Sequence, residues 1–532
     1  MMLTIVLSLL LSLFSTAVMS YISMATPLGP WIAPTLVLIG MAFLRLAHKH
    51  MNVSEEIVLS VVAGSIGGIL GTASGFAFPT LYFLDKPLFM SWINQPFLFV
   101  AVLFCLCFFP GWLGIWLANY FEHSLIVTEE LPFPVGSMVY KVIVSQTGRI
   151  KRSYDLFVGF WSSMIFCALH SGVCSIKGII PAALTVLPAF SIGVVQMPAL
   201  SLSLMPMLWA IGFVGGLTMI SSLFAGSIAK IVIVDPLRVL YFAQVDSIEF
   251  TLAFCSGMVV AGVLFSFVTL GQSCWRAKDG SLFGRFSYTA MAREQLYELI
   301  VLLMGTGLFL YYFEFGLLLQ AYLLFFSAVC AYQIALIAGR IGLAQMGRFA
   351  TFVMVPALLL FKLNYVQTVL IATFVEMCGG VMTDILFGRK LAYLAEVPRA
   401  KVRRYQYFGL FVGSLMVGVI FWLLLRHFQL GSAELFAQRA QARALLIKAH
   451  HFDFWVLGVG LLFGMALKYT PFNPMLVLGG LLMPLDLTFG FVGGALLTLC
   501  VKDQQEWVPF WSGVFAANSI WMIIQAFLRY LL

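Results

Sequence analysis

Apolar runs of about 20 residues recur from one end of the chain to the other, each closed by a short polar or Gly- and Pro-containing cluster. A bilayer-crossing α-helix needs about 20 predominantly apolar residues. The pattern therefore predicts a succession of membrane helices with no soluble domain between them. In the first half the runs centre near Leu13, Leu38, Leu70, Leu106, Met164, Leu187, Met219 and Gly257. In the second half they centre near Met304, Phe325, Pro356, Ile371, Met416, Gly460, Leu485 and Trp521. That makes about sixteen segments, several of them interrupted by Gly or Pro, which leaves the count and the re-entrant segments open. The fold class expected is an all-α polytopic membrane protein.

Composition agrees. Of 532 residues, 62% are hydrophobic and 10% charged, and the mean hydropathy is +1.01. A soluble domain is roughly 45 to 50% apolar. No Lys or Arg precedes the first run, Leu3 to Met24, so the basic region of a cleavable signal peptide is missing and the run reads as the first span.

The net charge of +8 is carried in short clusters between runs rather than along one face. Positive-inside asymmetry accounts for this better than nucleic-acid binding does. With sixteen crossings, His48 and Lys49, the run Arg149 to Arg152, the loop with Arg276, Lys278 and Arg285, and the run Arg399 to Arg404 share one side. That side is expected to be the cytoplasm, with both termini there, in a plasma or inner membrane. The segment Arg426 to Lys448, with four bases, breaks the rule. The nine cysteines include no CxxC pair and read as buried free thiols.

The chain echoes itself. LMPMLWAIGFVGGL from Leu204 matches LMPLDLTFGFVGGA from Leu482 at 8 of 14 positions. A weaker echo relates Gly136 and the bases ending at Arg152 to Gly388 and the bases ending at Arg404, both intervals being sixteen residues. We expect two parallel repeats of about eight segments, 1–272 and 273–532, with a site between them near the membrane midplane, as transporters built from repeats have.

Candidate chemistry is sparse. EELPFPVGSMVYK, Glu129 to Lys141, places two acids, two prolines, a glycine and a lysine between apolar runs, and TDILFGRKLAYL from Thr383 follows the twelfth segment in a similar way. Proline presets φ and suits the entry to a helix, and such an end can face an anionic group. The stretch is thus a candidate cavity wall, with an interfacial loop as the alternative. Glu376 lies deep in an apolar run, where a charge costs about 2.5 to 3.5 kcal/mol. Asp384 follows eight residues later, about 80° around an ideal helix, so both acids can line one path. Glu314 and Asp486 read as interfacial. In EEIVLSVVAGSIGGILGTASG, Ser54 is a plausible N-cap, and the glycines from Gly64 to Gly75 have small-xxx-small spacing that suits helix packing. No P-loop, HExxH, GxSxG or CxxC occurs, so ATP-driven pumping and the motif-bearing hydrolases have no support.

At these motifs the chain resembles the oligopeptide transporter family, which includes the yellow stripe-like metal-chelate carriers. EEIVLSVVAGSIGGILGTASGFAFPTLYFL is similar to its Glu-led, glycine-rich third helix, LPFPVGSMVYKVI to its Phe-Pro-x-Gly signature, and TDILFGRKLAYLAEVPRAK to its Asp-Leu-Lys-x-Gly region. GFVGGLTMISSLFAGSIAKIVIVDPL and NPMLVLGGLLMPLDLTFGFVGGALL are similar to its two glycine blocks. The resemblance implies a proton-coupled importer of short peptides, amino-acid conjugates or peptide-like metal chelates, with about sixteen helices; it does not identify the proton carriers. Three departures remove polar groups. Val135 stands for the Ser of Phe-Pro-Ser-Gly, Asp384, Ile385 and Leu386 stand for Asp-Leu-Lys, and the Asn-Pro-x-Ser-Gly run is absent where Ala344 to Phe349 stands.

The expectation is a secondary active transporter and not an enzyme. Glu376, Asp384 and Glu130 are candidates for proton coupling. Phe133, Pro134, Gly136, Tyr140, Gly215, Gly216, Gly493 and Gly494 are candidates for the substrate cavity. The partners expected are a small peptide or metal chelate, protons and the lipid bilayer, with a homo-oligomer left open. No cofactor, bound metal or nucleic acid is expected. The alternative is a membrane-embedded enzyme acting on a lipid-linked substrate, with the same acids as base and metal ligands; the acids are scattered singly, against the closely spaced sets that bind metal.

Overall fold

The computed structural model describes residues 2–26, 32–46, 53–131, 133, 135–137, 139, 140, 143, 151–171, 179–181, 183–188, 190–192, 195–197, 199–276, 293–341, 344–432, 434–448, 453–501 and 503–531. In chain order the helices are α1 (Met2–Ala25), α2 (Ala33–Leu46), α3 (Val53–Ala77), α4 (Thr80–Leu84), α5 (Lys86–Ile93) and α6 (Pro96–Glu122). They continue with α7 (Lys151–Ser171), α8 (Pro206–Ala229), α9 (Asp235–Tyr241), α10 (Ser247–Arg276), α11 (Arg293–Tyr312), α12 (Leu317–Ile341) and α13 (Met346–Leu360). The rest are α14 (Tyr365–Leu394), α15 (Arg399–His427), α16 (Gln438–Ile447), α17 (Phe454–Leu467), α18 (Pro474–Leu482), α19 (Leu485–Leu497) and α20 (Gln504–Leu531).

Among the described residues, seven helices are long and apolar enough to cross a membrane. They number eight if Pro206–Leu217 and Ile220–Tyr241, bent by 106°, are one broken span, and five further apolar helices are shorter. All but one of the apolar runs thus resolve into full spans and shorter apolar helices, and the protein is an all-α polytopic membrane protein.

Fifteen of the sixteen expected segment centres lie in helices. The exception is Leu187. Its run forms β1 (Ala183–Leu187), β2 (Phe190–Ile192), β3 (Val195–Met197) and β4 (Leu200–Ser203), with β1 antiparallel to β4 and β2 to β3. Prolines at 181, 188 and 198 cut that run into pieces too short for a span, and a proline lacks the N–H that a helix interior needs.

The chain forms two compact units: Met1–Ser23, Leu28–Ile150 and Phe267–Arg426 in the first, and Met24–Pro27, Lys151–Ser266 and His427–Leu532 in the second. Each takes helices from both halves of the sequence.

In the first unit, α3 and α14 are enclosed along their whole apolar lengths. A helix that is hydrophobic all round belongs inside, and these two fit that rule. The helices around them present Leu308, Leu317, Leu318 and Phe325 outward, where lipid replaces water as the solvent. α14 starts at a capping box: the Asn364 side chain accepts from the Gln367 backbone N–H, and the Gln367 side chain accepts from the Asn364 backbone N–H. This satisfies two of the orphan donors at the helix start. α3 begins at Val53, so Ser54 lies inside its first turn rather than at its cap. The α3 glycines pack on α1, where Ser15 Oγ donates to the Gly64 carbonyl at 2.5 Å and Ser23 Oγ to that of Gly71 at 3.1 Å.

In the second unit, α8 packs on α18, α19 and α20, and α7 on α20. α8 breaks at Gly216, whose φ of +69° is a left-handed conformation that a residue with a Cβ rarely adopts. Gln504 Nε2 donates to the Phe213 carbonyl next to the break at 2.7 Å, supplying a partner where the helical ladder is interrupted.

Candidate functional site

The site builds up from α14. The sequence suggested a short helical stretch from Thr383 after a separate twelfth span. The structure instead carries Tyr365–Leu394 through as one helix, because no Pro interrupts it and Gly379 and Gly380 sit against apolar side chains of α12, α13 and α3. Two carboxyl groups and a guanidinium are therefore buried at three levels of a single helix. Glu376 is 0% exposed, Asp384 4% and Arg389 7%. At 1.5 Å per residue, Glu376 and Asp384 are about 12 Å apart along the axis, and Arg389 is about 7.5 Å beyond Asp384.

Asp384 Oδ2 accepts a hydrogen bond from Ser65 Oγ of α3 at 2.7 Å. The two residues border a small cavity whose other walls are α2, α3 and the segment around Gly136, with Val61, Val62, Val135, Val139, Phe387 and Gly388 contributing. The space open to the centre of a water-sized sphere is about 10 Å³, about what one water molecule requires. Apart from Asp384 and Ser65 the lining side chains are apolar.

Phe133 is held between α12 and α14, and Gly136 lies on α14. The Phe133 N–H donates to the Gly339 carbonyl at 2.8 Å, and the Phe133 ring stands edge-on to Phe387 with centroids 5.8 Å apart. Both Glu130 and Phe133 hold positive φ, 48° and 42°, a conformation uncommon outside glycine. The chain is helical at Val135–Ser137, Val139 and Tyr140. At Gly136 the backbones come so close that an added Cβ would lie 2.5 Å from the Phe387 carbonyl oxygen. Gly136→Ala is accordingly expected to cost about 1 to 3 kcal/mol, the usual range for overpacking, and to reduce transport. Thermal unfolding in detergent and vesicle uptake, measured together, check both effects.

Just over one turn beyond Asp384 on α14 lies a second polar cluster. The Arg389 guanidinium donates to Glu122 Oε2 of α6 at 2.9 Å, to Asn119 Oδ1, and through Nε and Nη2 to Gln406 Oε1 of α15, both at 3.2 Å. Gln406 Nε2 in turn donates to the Ile385 carbonyl at 3.2 Å, and Arg399 reaches the other Glu122 oxygen at 3.4 Å. A second clip gathers Trp112, Arg403 and Tyr407 around Glu298. A fixed planar fork that meets a carboxylate and two amides suits a buried guanidinium.

Of the sequence candidates, the structure brings Asp384 and Gly136 to one cavity and places Phe133 beside it. Glu376 is buried deeper on the same helix, Tyr140 is half-buried nearby, and Glu130 is exposed. Pro134 lies outside the described residues. Gly215, Gly216, Gly493 and Gly494 belong to the second unit. Gly216 there makes the α8 break, Gly493 lies against the Trp209 ring, and Gly494 lies against the Trp209 backbone. Sequence reasoning missed Ser65, Glu122, Asn119 and Gln406. Ser65 sits in a small-residue run that reads as packing, and Arg389 reads as one of several bases near a membrane edge. Seven described cysteines are free thiols, six of them buried or partly buried.

The family model for the oligopeptide transporter proteins matches residues 2–260 and 247–528. The chain belongs to the oligopeptide transporter family. No curated protein matches it. This oligopeptide transporter is an integral, multi-pass membrane protein, and its family's activity is transport rather than catalysis.

Proposed function

We propose that this oligopeptide transporter is a secondary active importer that couples entry of a short peptide to a proton carried on Asp384. The observation that supports this reading is the buried Asp384 carboxylate, hydrogen-bonded to Ser65 beside a space of one water. A charge at membrane depth is expensive, and an acid kept there is by default a functional group. Hard cations take several oxygen ligands. The walls around Asp384 offer one hydroxyl and otherwise apolar side chains, so the site suits a proton.

The cycle we infer begins with a proton and a peptide entering from outside. Protonation neutralises Asp384 and removes the charge that opposes movement of α14 against its apolar neighbours. The FPVG segment, tied to α14 through Phe133 and Gly136, moves with it, and the cytoplasmic side opens. Both termini are cytoplasmic in this reading, and a plasma or inner membrane is the setting. Peptide-like metal chelates are the second substrate class, carried over from the yellow stripe-like branch of the family.

Glu376 serves as a second proton carrier deeper on α14. Glu376→Gln is expected to slow gradient-driven uptake about tenfold, equivalent to roughly 1.4 kcal/mol of barrier, and to flatten its pH dependence. An unchanged pH profile removes Glu376 from the path.

The test is uptake by the purified protein in proteoliposomes, with labelled short peptides and with iron or nickel chelates, with and without an inward-acid pH gradient. Accumulation that needs the gradient is expected. Protein shown to be folded that takes up neither class contradicts the reading.

A further inference from the structure

Ser65 Oγ lies within hydrogen-bond distance of two acceptors. It is 2.7 Å from Asp384 Oδ2 on α14 and 3.3 Å from the carbonyl of Val62, three residues back on its own helix. A serine hydroxyl has one hydrogen and two acceptor lone pairs. It cannot donate to both partners, but it can rotate between them.

We propose that Ser65 is a hydroxyl rotor that positions Asp384 in both of its protonation states; the proposal rests on Asp384 being the proton carrier. With Asp384 ionised, Ser65 Oγ–H donates to the carboxylate. With Asp384 protonated, the carboxyl O–H donates to Ser65 Oγ, and the serine hydrogen turns to the Val62 carbonyl. The proton lost or gained is exchanged with the adjacent one-water space, so no bond other than O–H changes. The contact between α3 and α14, the two enclosed helices of the unit, thus survives the change of charge. An acid with only apolar neighbours would have no partner in either state, and a fixed donor such as a backbone N–H could not accept from the protonated carboxyl O–H.

The surroundings leave this role to Ser65. From α2, α3 and the FPVG segment the cavity walls facing Asp384 are Ala33, Val61, Val62, Val135, Gly136 and Val139, none of which titrates. On α14 the nearest buried ionisable groups are the thiol of Cys378, six residues back, Glu376, eight residues back, and Arg389, which is turned to Glu122, Asn119 and Gln406. The acids of α3, Glu55 and Glu56, lie at its first turn, Glu55 held by Lys401 at 2.7 Å. From α15, Gln406 is uncharged, and Tyr405 lies among Thr4, Glu55, Glu56 and Lys401.

The sign of the effect follows from which state loses more. A hydrogen bond to a charged acceptor is stronger than one between neutral groups, so deleting the hydroxyl penalises ionised Asp384 more. Uptake should then reach half its maximum at a higher pH.

The experiment is the pH profile of peptide uptake in proteoliposomes for wild type, Ser65→Ala, Ser65→Cys, Ser65→Thr and Asp384→Asn. Ser65→Ala and Ser65→Cys are expected to shift the half-maximal pH upward by about one unit, and Ser65→Thr, which keeps the hydroxyl, to restore the wild-type value. Ser65→Cys retains nearly the native volume with a weak donor, so it carries the test if the alanine variant does not fold. A Ser65 series that superimposes on wild type while Asp384→Asn is flat overturns the rotor and leaves the carrier standing. A wild-type profile in Asp384→Asn overturns the carrier and the rotor with it.

Discussion

Asp384→Asn is expected to abolish uphill accumulation of peptide while leaving exchange of internal for external peptide in place. Asparagine has the shape of the protonated aspartate and can still accept from Ser65 Oγ through its carbonyl, so the packing of α3 on α14 is retained. It cannot release a proton. For a cycle that moves one proton per peptide, a gradient of one pH unit supports at most about tenfold accumulation, because each tenfold ratio is worth about 1.4 kcal/mol. The variant should level off at a ratio of one, whatever the gradient. Labelled-peptide accumulation and counterflow, measured in the same vesicles, separate the two activities. Loss of both would indicate a damaged protein; retention of both would remove Asp384 from the coupling path.

Arg389→Met should have the largest effect on stability. The guanidinium is 7% exposed and balances Glu122 across a distance of 2.9 Å. Removing one partner of a buried pair costs about 3 to 5 kcal/mol, and less here for Arg389→Met because Arg399 still reaches Glu122, whereas replacing both with uncharged groups can be nearly neutral. Glu122→Gln alone should therefore also destabilise, and the double substitution Arg389→Met with Glu122→Gln should recover much of the loss. The coupling in that cycle is the direct readout. Additive losses, measured by thermal unfolding in detergent, would show that the pair contributes little. Arg389 also holds Gln406, whose amide reaches the carbonyl of Ile385 beside Asp384, so the same substitution should disturb transport.

What the sequence made legible, and what it hid, follows from the range of the interactions. Burial of Glu376 and Asp384 was readable because both lie in a long apolar run, and run length and composition are local properties. The nearness of the FPVG segment to the stretch around Gly388 was hinted at only by their similar make-up. The structure seats Gly136 on Phe387 of that stretch, and Asp384 lies on the same cavity. Ser65 and Asp384 are 319 residues apart, and Arg389 and Glu122 are 267 apart. Nothing in either local pattern names the other partner. The run around Leu187 misled for a different reason: its average hydropathy suits a span, but three prolines set the backbone, and short antiparallel strands are the outcome.

The glycine echo met a similar limit. LMPMLWAIGFVGGL opens α8, LMPLDLTFGFVGGA covers α19, and the two pack together in the second unit, with Gly494 against the Trp209 backbone. Composition therefore identified a place where helices approach closely. It did not say whether that approach leaves room for a ligand. At Gly493 and Gly494 the neighbour is Trp209, so packing is the role we propose for those two residues, and Asp384 remains the proposed proton site.

The most direct test of the account follows proton movement itself. A pH-sensitive dye trapped inside proteoliposomes reports protons that enter when peptide is added outside, with no pH gradient imposed beforehand. Peptide is expected to acidify vesicles containing the wild-type protein and to leave those containing Asp384→Asn unchanged. Peptide entry without acidification in wild type, or equal acidification with Asp384→Asn, would contradict proton coupling through Asp384.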